Sequence, residues 1–156
     1  MTKRIAIFTQ GLPGAGKSFV IAKEYGEADL VIDPDAVKES HPDYDPKCPE
    51  ALHAWSKEIT EGQYRAAIVH PVNVLVIDGT GNNSEKMVRK IREVQAAGYE
   101  AHLLYVKVSL ETSLARNAAR EGNVPEHVVL EKAEDIETAH ESVAAYADVT
   151  KIINND

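Results

Sequence analysis

The chain has 156 residues, 44% hydrophobic and 27% charged, which is the composition of one soluble globular domain. Its net charge of −8 at pH 7 argues against broad contact with nucleic acid, although it does not exclude a local basic groove. The single cysteine, Cys48, excludes an intramolecular disulfide and a cysteine-based zinc site. No apolar run approaches the roughly 20 residues that cross a bilayer. We therefore expect one domain over residues 1–156, a reducing, cytoplasmic location and no membrane partner.

Apolar runs and helical stretches alternate along the chain. Strands are predicted over residues 5–8, 30–32, 72–77, 102–108 and 150–153. Helices are predicted over residues 17–25, 51–70, 84–97, 110–120 and 126–146. This alternation predicts an α/β fold, a doubly wound, mostly parallel five-stranded sheet with helices on both faces.

Residues 11–18, GLPGAGKS, match the phosphate-binding pattern G-x-x-x-x-G-K-[ST] at every fixed position. They follow the first predicted strand and open the first predicted helix. Glycines let backbone N–H groups turn toward one anion, and the helix N-terminus adds partial positive charge. Lys17 is predicted to reach the β- and γ-phosphates of ATP, as a catalytic residue, and the Ser18 hydroxyl to ligate Mg²⁺. The residues predicted to bind ATP are Gly11, Leu12, Pro13, Gly14, Ala15, Gly16, Lys17 and Ser18.

The third predicted strand ends in Asp78, a pattern typical of a carboxylate that holds Mg²⁺ through water. The next residue is Gly79 and not a glutamate that could activate water. This favours transfer to another acceptor over dedicated ATP hydrolysis. The alternative is that Asp78 only caps the turn of residues 78–83.

The acidic segment of residues 31–45, VIDPDAVKESHPDYD, places Asp33 and Asp35 after the second predicted strand. Ligands of doubly wound sheets sit at this edge, so we expect both carboxylates beside the phosphate loop. A kinase needs a carboxylate to orient and deprotonate the attacking hydroxyl. Asp35 is the predicted base, and Lys38, three residues later, would share its helical face. The alternative for either aspartate is a helix cap.

His41 is predicted to be a structural or substrate-contacting residue. It is an unsuitable metal ligand because no second histidine or cysteine lies at ligand spacing. Asp43 and Asp45 stand around prolines and are predicted to be turn residues.

Arg116 and Arg120 are four residues apart on one face of a predicted helix, just before the interruption at residues 121–125, EGNVP. Charge spreads over the γ-phosphoryl oxygens in the transition state, and a small mobile lid with arginines would neutralise it. Both arginines are therefore predicted to be catalytic. The alternative is a solvated helix face, with Glu121 and Glu126 as ion-pair partners.

The order GLPGAGKS, VIDPDAVKESHPDYD, VIDGTG and YVKVSLETSLARNAAREGNVP resembles the zeta toxin family of small P-loop kinases, over about residues 5–153. It also resembles the kinase domain of bacteriophage polynucleotide kinase. The resemblance implies a P-loop NTPase fold with a small helical lid and an ATP-dependent phosphotransferase with an alcohol acceptor. It implies Asp35 as the base, Lys38 as its basic neighbour, and Arg120 on the donor phosphates.

The resemblance also bears on the acceptor. The family's E-G-T-G motif corresponds to residues 78–81, DGTG, which implies that Asp78 and Thr80 contact the substrate. The family's T-E pair matches Thr60-Glu61 loosely. Zeta toxins phosphorylate UDP-N-acetylglucosamine, and polynucleotide kinases a 5′-hydroxyl terminus. We expect a small-molecule or nucleotide-sugar acceptor.

Two alternatives remain from the sequence, a polynucleotide or modified-base DNA kinase and an ATP-dependent binding switch. The second lid arginine of zeta toxins has no counterpart in residues 123–125, unless Arg116 substitutes for it. Nothing visible in the sequence supports an antitoxin partner.

Overall fold

The computed structural model describes residues 3–79, 81–120 and 124–156. Its strands are β1 (Ile5–Gln10), β2 (Leu30–Ile32), β3 (Val74–Ile77), β4 (Glu100–Lys107) and β5 (Val149–Asn154). Its helices are α1 (Lys17–Tyr25), α2 (Pro34–Glu39), α3 (His53–Val69), α4 (Ser84–Ala96), α5 (Leu110–Ala118) and α6 (Glu126–Val143). Short 3₁₀ turns at Pro49–Leu52 and Ala144–Tyr146 precede α3 and follow α6.

The strands form one sheet in the order β2-β3-β1-β4-β5, and every pairing among them is parallel. The predicted doubly wound, five-stranded sheet is confirmed, and it is fully parallel. Because β3 lies between β2 and β1, the acidic segment after β2 is separated from the phosphate loop by one strand. The ends of β1, β2 and β3 nevertheless share one edge of the sheet.

Helices cover both faces of the sheet, which explains why β1 and β4 are almost continuously apolar. On one face, Phe8 of β1 packs in a buried cluster with residues of α3, α4 and the end of α6. On the other face, Ile7 packs with Val20 and Ile21 of α1. Alternate residues of a single strand therefore belong to two different cores.

Two boundaries differ from the sequence-based prediction for local reasons. The third strand begins at Val74 and not at Val72, because the Val72 N–H donates to the Tyr99 hydroxyl at 2.9 Å. Helix α5 ends at Ala118, two residues before the predicted end, so Arg120 lies beyond it. Within the described ranges, no helix has the length and apolar character needed to span a membrane.

Candidate active site

The phosphate loop of residues 11–16 joins β1 to α1 along a path that requires glycine. Gly14 and Gly16 have φ angles of 78° and 81°, in the left-handed region that side chains rarely adopt. A Cβ atom at Gly14 would also lie 2.8 Å from the Cβ of Arg116. Helix α1 starts at Lys17 without a capping side chain, so its first-turn N–H groups are available to an anion.

Three consecutive carbonyl groups of the loop are held by side chains from outside it. The Ser113 hydroxyl donates to Pro13 O at 2.6 Å, and the Arg116 guanidinium donates to Gly14 O at 3.0 Å. The side-chain amide of Asn155 donates to Ala15 O at 2.8 Å. These bonds come from α5 and from the residue after β5, so distant parts of the chain fix the loop.

Lys17 places its ammonium group over this loop, where Nζ donates to Gly11 O at 3.1 Å. Burial lowers the pKa of Lys17, while the carboxylates of Asp78, Asp35 and Asp33 act in the opposite direction. Lys132 of α6 lowers it further. The three predicted acidic residues are thus within electrostatic reach of one lysine, as expected from their positions at the sheet edge.

Asp78 follows β3 and is oriented by Thr9 at the end of β1. The Thr9 hydroxyl lies 2.8 Å from Asp78 Oδ1 and 2.9 Å from Gly79 O, and it accepts from the Gly79 N–H at 2.9 Å. Thr9 is only 2% exposed, so this contact is shielded from water. The carboxylate of Asp78 is therefore held in place beside the loop.

The two aspartates of the acidic segment differ in environment. Asp33 caps α2, because its Oδ1 accepts from the Asp35 N–H at 2.9 Å, so the cap alternative holds for Asp33. Burial and the nearby Asp78 raise the pKa of Asp33. Asp35 is exposed in the first turn of α2. Lys38 is buried, 8% exposed, and within the described residues no ion pair joins it to Asp35.

His41 lies between α2 and α3. Its Nδ1 accepts from the Asp43 N–H at 3.0 Å, and its ring packs edge-on against Trp55 with 4.7 Å between centroids. Asp45 Oδ1 accepts from the Lys47 N–H at 2.9 Å, as a turn residue does. The contacts that the structure gives His41 are therefore structural ones.

The two predicted lid arginines differ from each other. Besides Gly14 O, the exposed Arg116 donates to Asn155 O at 3.1 Å, so its guanidinium binds main-chain carbonyls of the site. Arg120 is exposed, and in the described parts of the chain its guanidinium has no hydrogen-bond or ion-pair partner. The Asn117 side chain links the end of α5 to Val124. Its Nδ2 donates to Val124 O at 2.6 Å, and its Oδ1 accepts from the Val124 N–H at 3.0 Å. Residues 121–123, and the predicted substrate residue Thr80, lie outside the described residues.

A cavity of about 220 Å³ opens beside Asp78, between α3, α4 and the sheet edge. Its lining includes Thr60 and Glu61, the pair that matched the family only loosely, together with Asn83, Lys86 and Lys90 of the α4 region. None of the last three was predicted from the sequence. Thr9 and Asp78 also line it, so the cavity opens at the same sheet edge as the phosphate loop.

Sequence reasoning missed Thr9 and Gln10, two buried polar residues that end β1. Gln10 is fully buried, where its Nε2 donates to Gly81 O at 2.8 Å and its Oε1 lies 2.9 Å from His140 Nδ1. The change from apolar to polar residues just before the glycine loop was an available signal. The loop contacts of Ser113 and Asn155 had no such signal.

The oxygen-rich composition of the site suits Mg²⁺. No group of three or more His, Cys, Asp or Glu side chains that could hold a metal occurs within residues 3–79, 81–120 and 124–156. The Ser18 hydroxyl is exposed in the first turn of α1, and Thr9 holds the Asp78 carboxylate after β3. Mg²⁺ is typically bound by one or two such oxygens together with substrate phosphates and water, so these residues fit it.

The parallel sheet, the G-x-x-x-x-G-K-S loop opening α1, and the aspartate after β3 define the class of P-loop kinases. The zeta toxin family model matches residues 2–156, and the chain therefore belongs to the zeta toxin family. The resemblance found in the sequence motifs is confirmed. No curated protein matches the chain in sequence.

Solved structures agree with this fold. The chain is similar to one from the PezAT chromosomal toxin-antitoxin system of Streptococcus pneumoniae, with 22% identity and a TM-score of 0.75, over 100% of this chain and 69% of that one. It is similar to AvrRxo1-ORF1:-ORF2 with ATP, with 17% identity and a TM-score of 0.70, over 92% of this chain and 50% of that one. It is also similar to shikimate kinase from Bacteroides thetaiotaomicron, with 17% identity and a TM-score of 0.53, over 97% and 86%. The chain thus spans about half the length of the AvrRxo1 chain, and likeness at these identities concerns the fold alone.

Proposed function

We propose that this chain transfers the γ-phosphoryl group of ATP to a hydroxyl of a small-molecule or nucleotide-sugar acceptor. The observation that carries the proposal is the arrangement at one sheet edge. Lys17 lies over the phosphate loop, Thr9 holds Asp78 after β3, and Asp35 lies in the first turn of the helix after β2. Phosphate binding, a base and a metal-side carboxylate are the parts that phosphoryl transfer requires.

On the donor side, the backbone N–H groups of residues 11–18 and Lys17 bind the triphosphate, aided by the positive end of α1. Mg²⁺, when bound through the Ser18 hydroxyl and the Asp78 carboxylate, supplies charge neutralisation on the phosphate oxygens. Thr9 keeps Asp78 in position for this role. Burial disfavours the free ammonium of Lys17 and favours its pairing with an anion.

On the acceptor side, Asp35 accepts the proton of the attacking hydroxyl. The acceptor oxygen forms the new bond to the γ-phosphorus, the bond from that phosphorus to the bridging oxygen breaks, and ADP leaves. Asp33 supports this step indirectly by capping the helix that carries Asp35. We place the acceptor in the cavity beside Asp78, with Lys38, His41 and Thr80 as further candidates for contact.

Arg120 is the proposed lid cation, because its guanidinium is exposed and has no partner among the described residues. Arg116 acts through the loop, since it already donates to Gly14 O and Asn155 O. It is therefore proposed mainly as a positioning residue for the donor site, and direct contact with the phosphates would require it to leave these carbonyls.

Among partners, the net charge of −8 favours a small acceptor over nucleic acid. No feature of the sequence supports an antitoxin partner. The likeness to a chain of the PezAT toxin-antitoxin system weighs weakly against that expectation. The cytoplasmic location remains a proposal.

The test uses ATP radiolabelled at the γ-phosphate and a panel of UDP-N-acetylglucosamine, nucleosides, 5′-hydroxyl oligonucleotides and small antibiotics. We expect label on at least one small acceptor, and its complete loss in Lys17→Met. Labelling that survives in Lys17→Met would overturn the proposal. Label confined to oligonucleotides would favour the polynucleotide kinase, and ATP binding without transfer would favour a switch.

A further inference from the structure

Strand β1 ends in two buried polar residues, and each of them holds one end of the turn that carries Asp78. Thr9 binds Asp78 and Gly79 at the start of this turn. Gln10 is fully buried, and its Nε2 donates to Gly81 O at 2.8 Å. Gly81 has a φ of 76°, and a Cβ atom there would lie 2.8 Å from Thr9 O, so this end of the turn also lies directly against β1.

The orientation of the Gln10 amide determines which nitrogen of His140 carries a hydrogen. Gly81 O can only accept, so the Gln10 atom that faces it is the donating Nε2. The other amide atom, Oε1, lies 2.9 Å from His140 Nδ1 on α6. An amide oxygen can only accept, so Nδ1 is the donor. A neutral His140 therefore has its hydrogen on Nδ1 and none on Nε2.

The face of α6 that carries His140 is fixed against β4. The rings of His140 and Tyr105 pack with 4.8 Å between their centroids. The Tyr105 hydroxyl donates to Glu137 Oε1 at 2.7 Å, and Lys107 Nζ lies 3.4 Å from the same oxygen. Glu137 and His140 are three residues apart and share one face of the helix. These contacts hold the His140 ring in place for its bond to Gln10.

The bond between His140 and Gln10 does not require a charged imidazole. Burial lowers the pKa of His140, Glu137 and Glu141 act in the opposite direction, and Lys107 lowers it further. The neutral ring is therefore the main form above pH 7. Because the imidazolium also carries a hydrogen on Nδ1, the bond is present in both charge states.

On the basis of the proposed function, we infer that His140 is a positioning residue for phosphoryl transfer, because it fixes Gln10 and through it the turn of residues 78–81. Without the Nδ1 donor, Gln10 Oε1 would be buried and unpaired, which is costly, so the Gln10 side chain would move. Gly81 O would then lose its bond, and the turn would be held by Thr9 alone. The carboxylate of Asp78 would be less precisely oriented toward the metal.

The tautomer of His140 gives a test that needs no catalysis. Long-range ¹H–¹⁵N NMR spectra of the labelled wild type at about pH 8, above the ordinary histidine pKa, show which ring nitrogen carries the hydrogen. We expect it on Nδ1 of His140. His53 is exposed in α3 and is the internal reference, with exchange between both tautomers. A hydrogen on His140 Nε2, alone or in exchange with Nδ1, overturns the inference.

Two substitutions of His140 separate the donor from the space that the ring fills. Asparagine and leucine have similar shapes, but asparagine keeps an N–H near the position of Nδ1 and leucine does not. We expect kcat to fall roughly 10–100-fold in His140→Leu, the usual loss when a residue that orients a metal ligand is removed. His140→Asn should recover most of it. The KM for ATP should change little in either variant, because other side chains hold the phosphate loop.

The exposed His53 also supplies the control for these kinetics, since His53→Leu should keep the wild-type kcat. Equal losses of kcat in His140→Leu and His140→Asn, or an unchanged kcat in His140→Leu, overturn the inference. The tautomer is measured in the wild type, so it decides the inference even where a variant fails to fold.

Failure of this inference and failure of the proposed function would look different. If the wild type labels no acceptor, the proposed function fails, but the amide signals of Gly79 and Gly81 still report on the turn. Both signals should shift in His140→Leu and return toward their wild-type positions in His140→Asn. Transfer that continues unchanged in His140→Leu, with unshifted signals of Gly79 and Gly81, would overturn the inference and leave the proposed function intact.

Discussion

The donor and acceptor sides of this site are built in opposite ways. The donor side is one continuous stretch, residues 11–18, whose backbone forms the binding surface and whose carbonyls are held from outside. The proposed acceptor cavity is lined by residues of α3, α4 and the strands β1, β2 and β3, with no continuous motif. The backbone groups that form the donor surface do not change when side chains are substituted. Substitutions in the cavity lining would therefore alter the choice of acceptor without altering the binding of the donor.

The charges around Lys17 and around Glu61 also differ. Lys17, at the start of α1, has the carboxylates of Asp78, Asp35 and Asp33 near it, with Lys132 as a further cation. Glu61, beside the cavity, has Lys90, Lys86 and Arg89 near it. The surroundings of Lys17 are therefore mostly acidic, and those of Glu61 are basic.

The largest effect should come from Asp35→Ala, which removes the proposed base. We expect phosphoryl transfer to fall by roughly 10²–10⁴-fold, the usual contribution of general base catalysis, with ATP affinity nearly unchanged. The measurements are single-turnover transfer and ATP titration. Asp33→Ala is the comparison, since loss of the helix cap should cost about 1 kcal/mol of stability and reduce transfer much less than Asp35→Ala does. If ATP binding and transfer fell together in Asp35→Ala, Asp35 would have a structural role.

A smaller effect is expected from Gly14→Ala, which alters the phosphate loop and leaves the cavity unchanged. Its positive φ should cost about 1–2 kcal/mol of stability, and the new Cβ would lie 2.8 Å from the Cβ of Arg116. We expect ATP to bind about tenfold or more weakly, as a 1.4 kcal/mol loss would produce. Gly26→Ala has a similar φ, 74°, but no atom within 4 Å of the added Cβ. The Gly26→Ala variant should lose stability and keep its affinity for ATP. Equal losses of ATP affinity in both variants would show that the close approach at Gly14 does not matter for ATP binding.

The smallest expected effects are changes of folding stability with pH, and they have opposite signs for Asp33 and Glu61. Burial and Asp78 raise the pKa of Asp33 above 3.8, so the folded state binds this proton more tightly and stability falls as pH rises through that raised value. The pKa of Glu61 is below 4.5, because nearby cations outweigh burial, so its contribution is present above 4.5 and is lost as pH falls through the lower folded value.

Urea unfolding of Asp33→Asn and Glu61→Gln, from about pH 3 to 7, would measure these contributions. Relative to the wild type, Asp33→Asn should gain stability as pH rises, and Glu61→Gln should lose it. Asparagine keeps the cap at position 33, so the comparison isolates the charge. Slopes of the same sign would show that the electrostatic contrast between the two sides is wrong.

The donor side could be predicted from the sequence because the residues that form it are close together in the chain. The apolar runs and the glycine loop each depend on a few neighbouring residues. The cavity could not be predicted, since Glu61 and Lys90 meet only when α3 packs beside α4. Arg116 illustrates the same limit. The prediction that it shares a helical face with Arg120 is wrong, because α5 ends at Ala118, and only the packing of α5 on the loop determines that Arg116 contacts carbonyl groups.

The bond from Asn155 to Ala15 O has a consequence for the order in which the loop is completed during synthesis. It joins residues 140 positions apart, so the loop residues are synthesised long before one of their partners. Strand β5, which carries Asn155 into place, must first pair with β4. A nascent or truncated chain that lacks this strand therefore has a phosphate loop without one of the three side chains that hold its carbonyl groups.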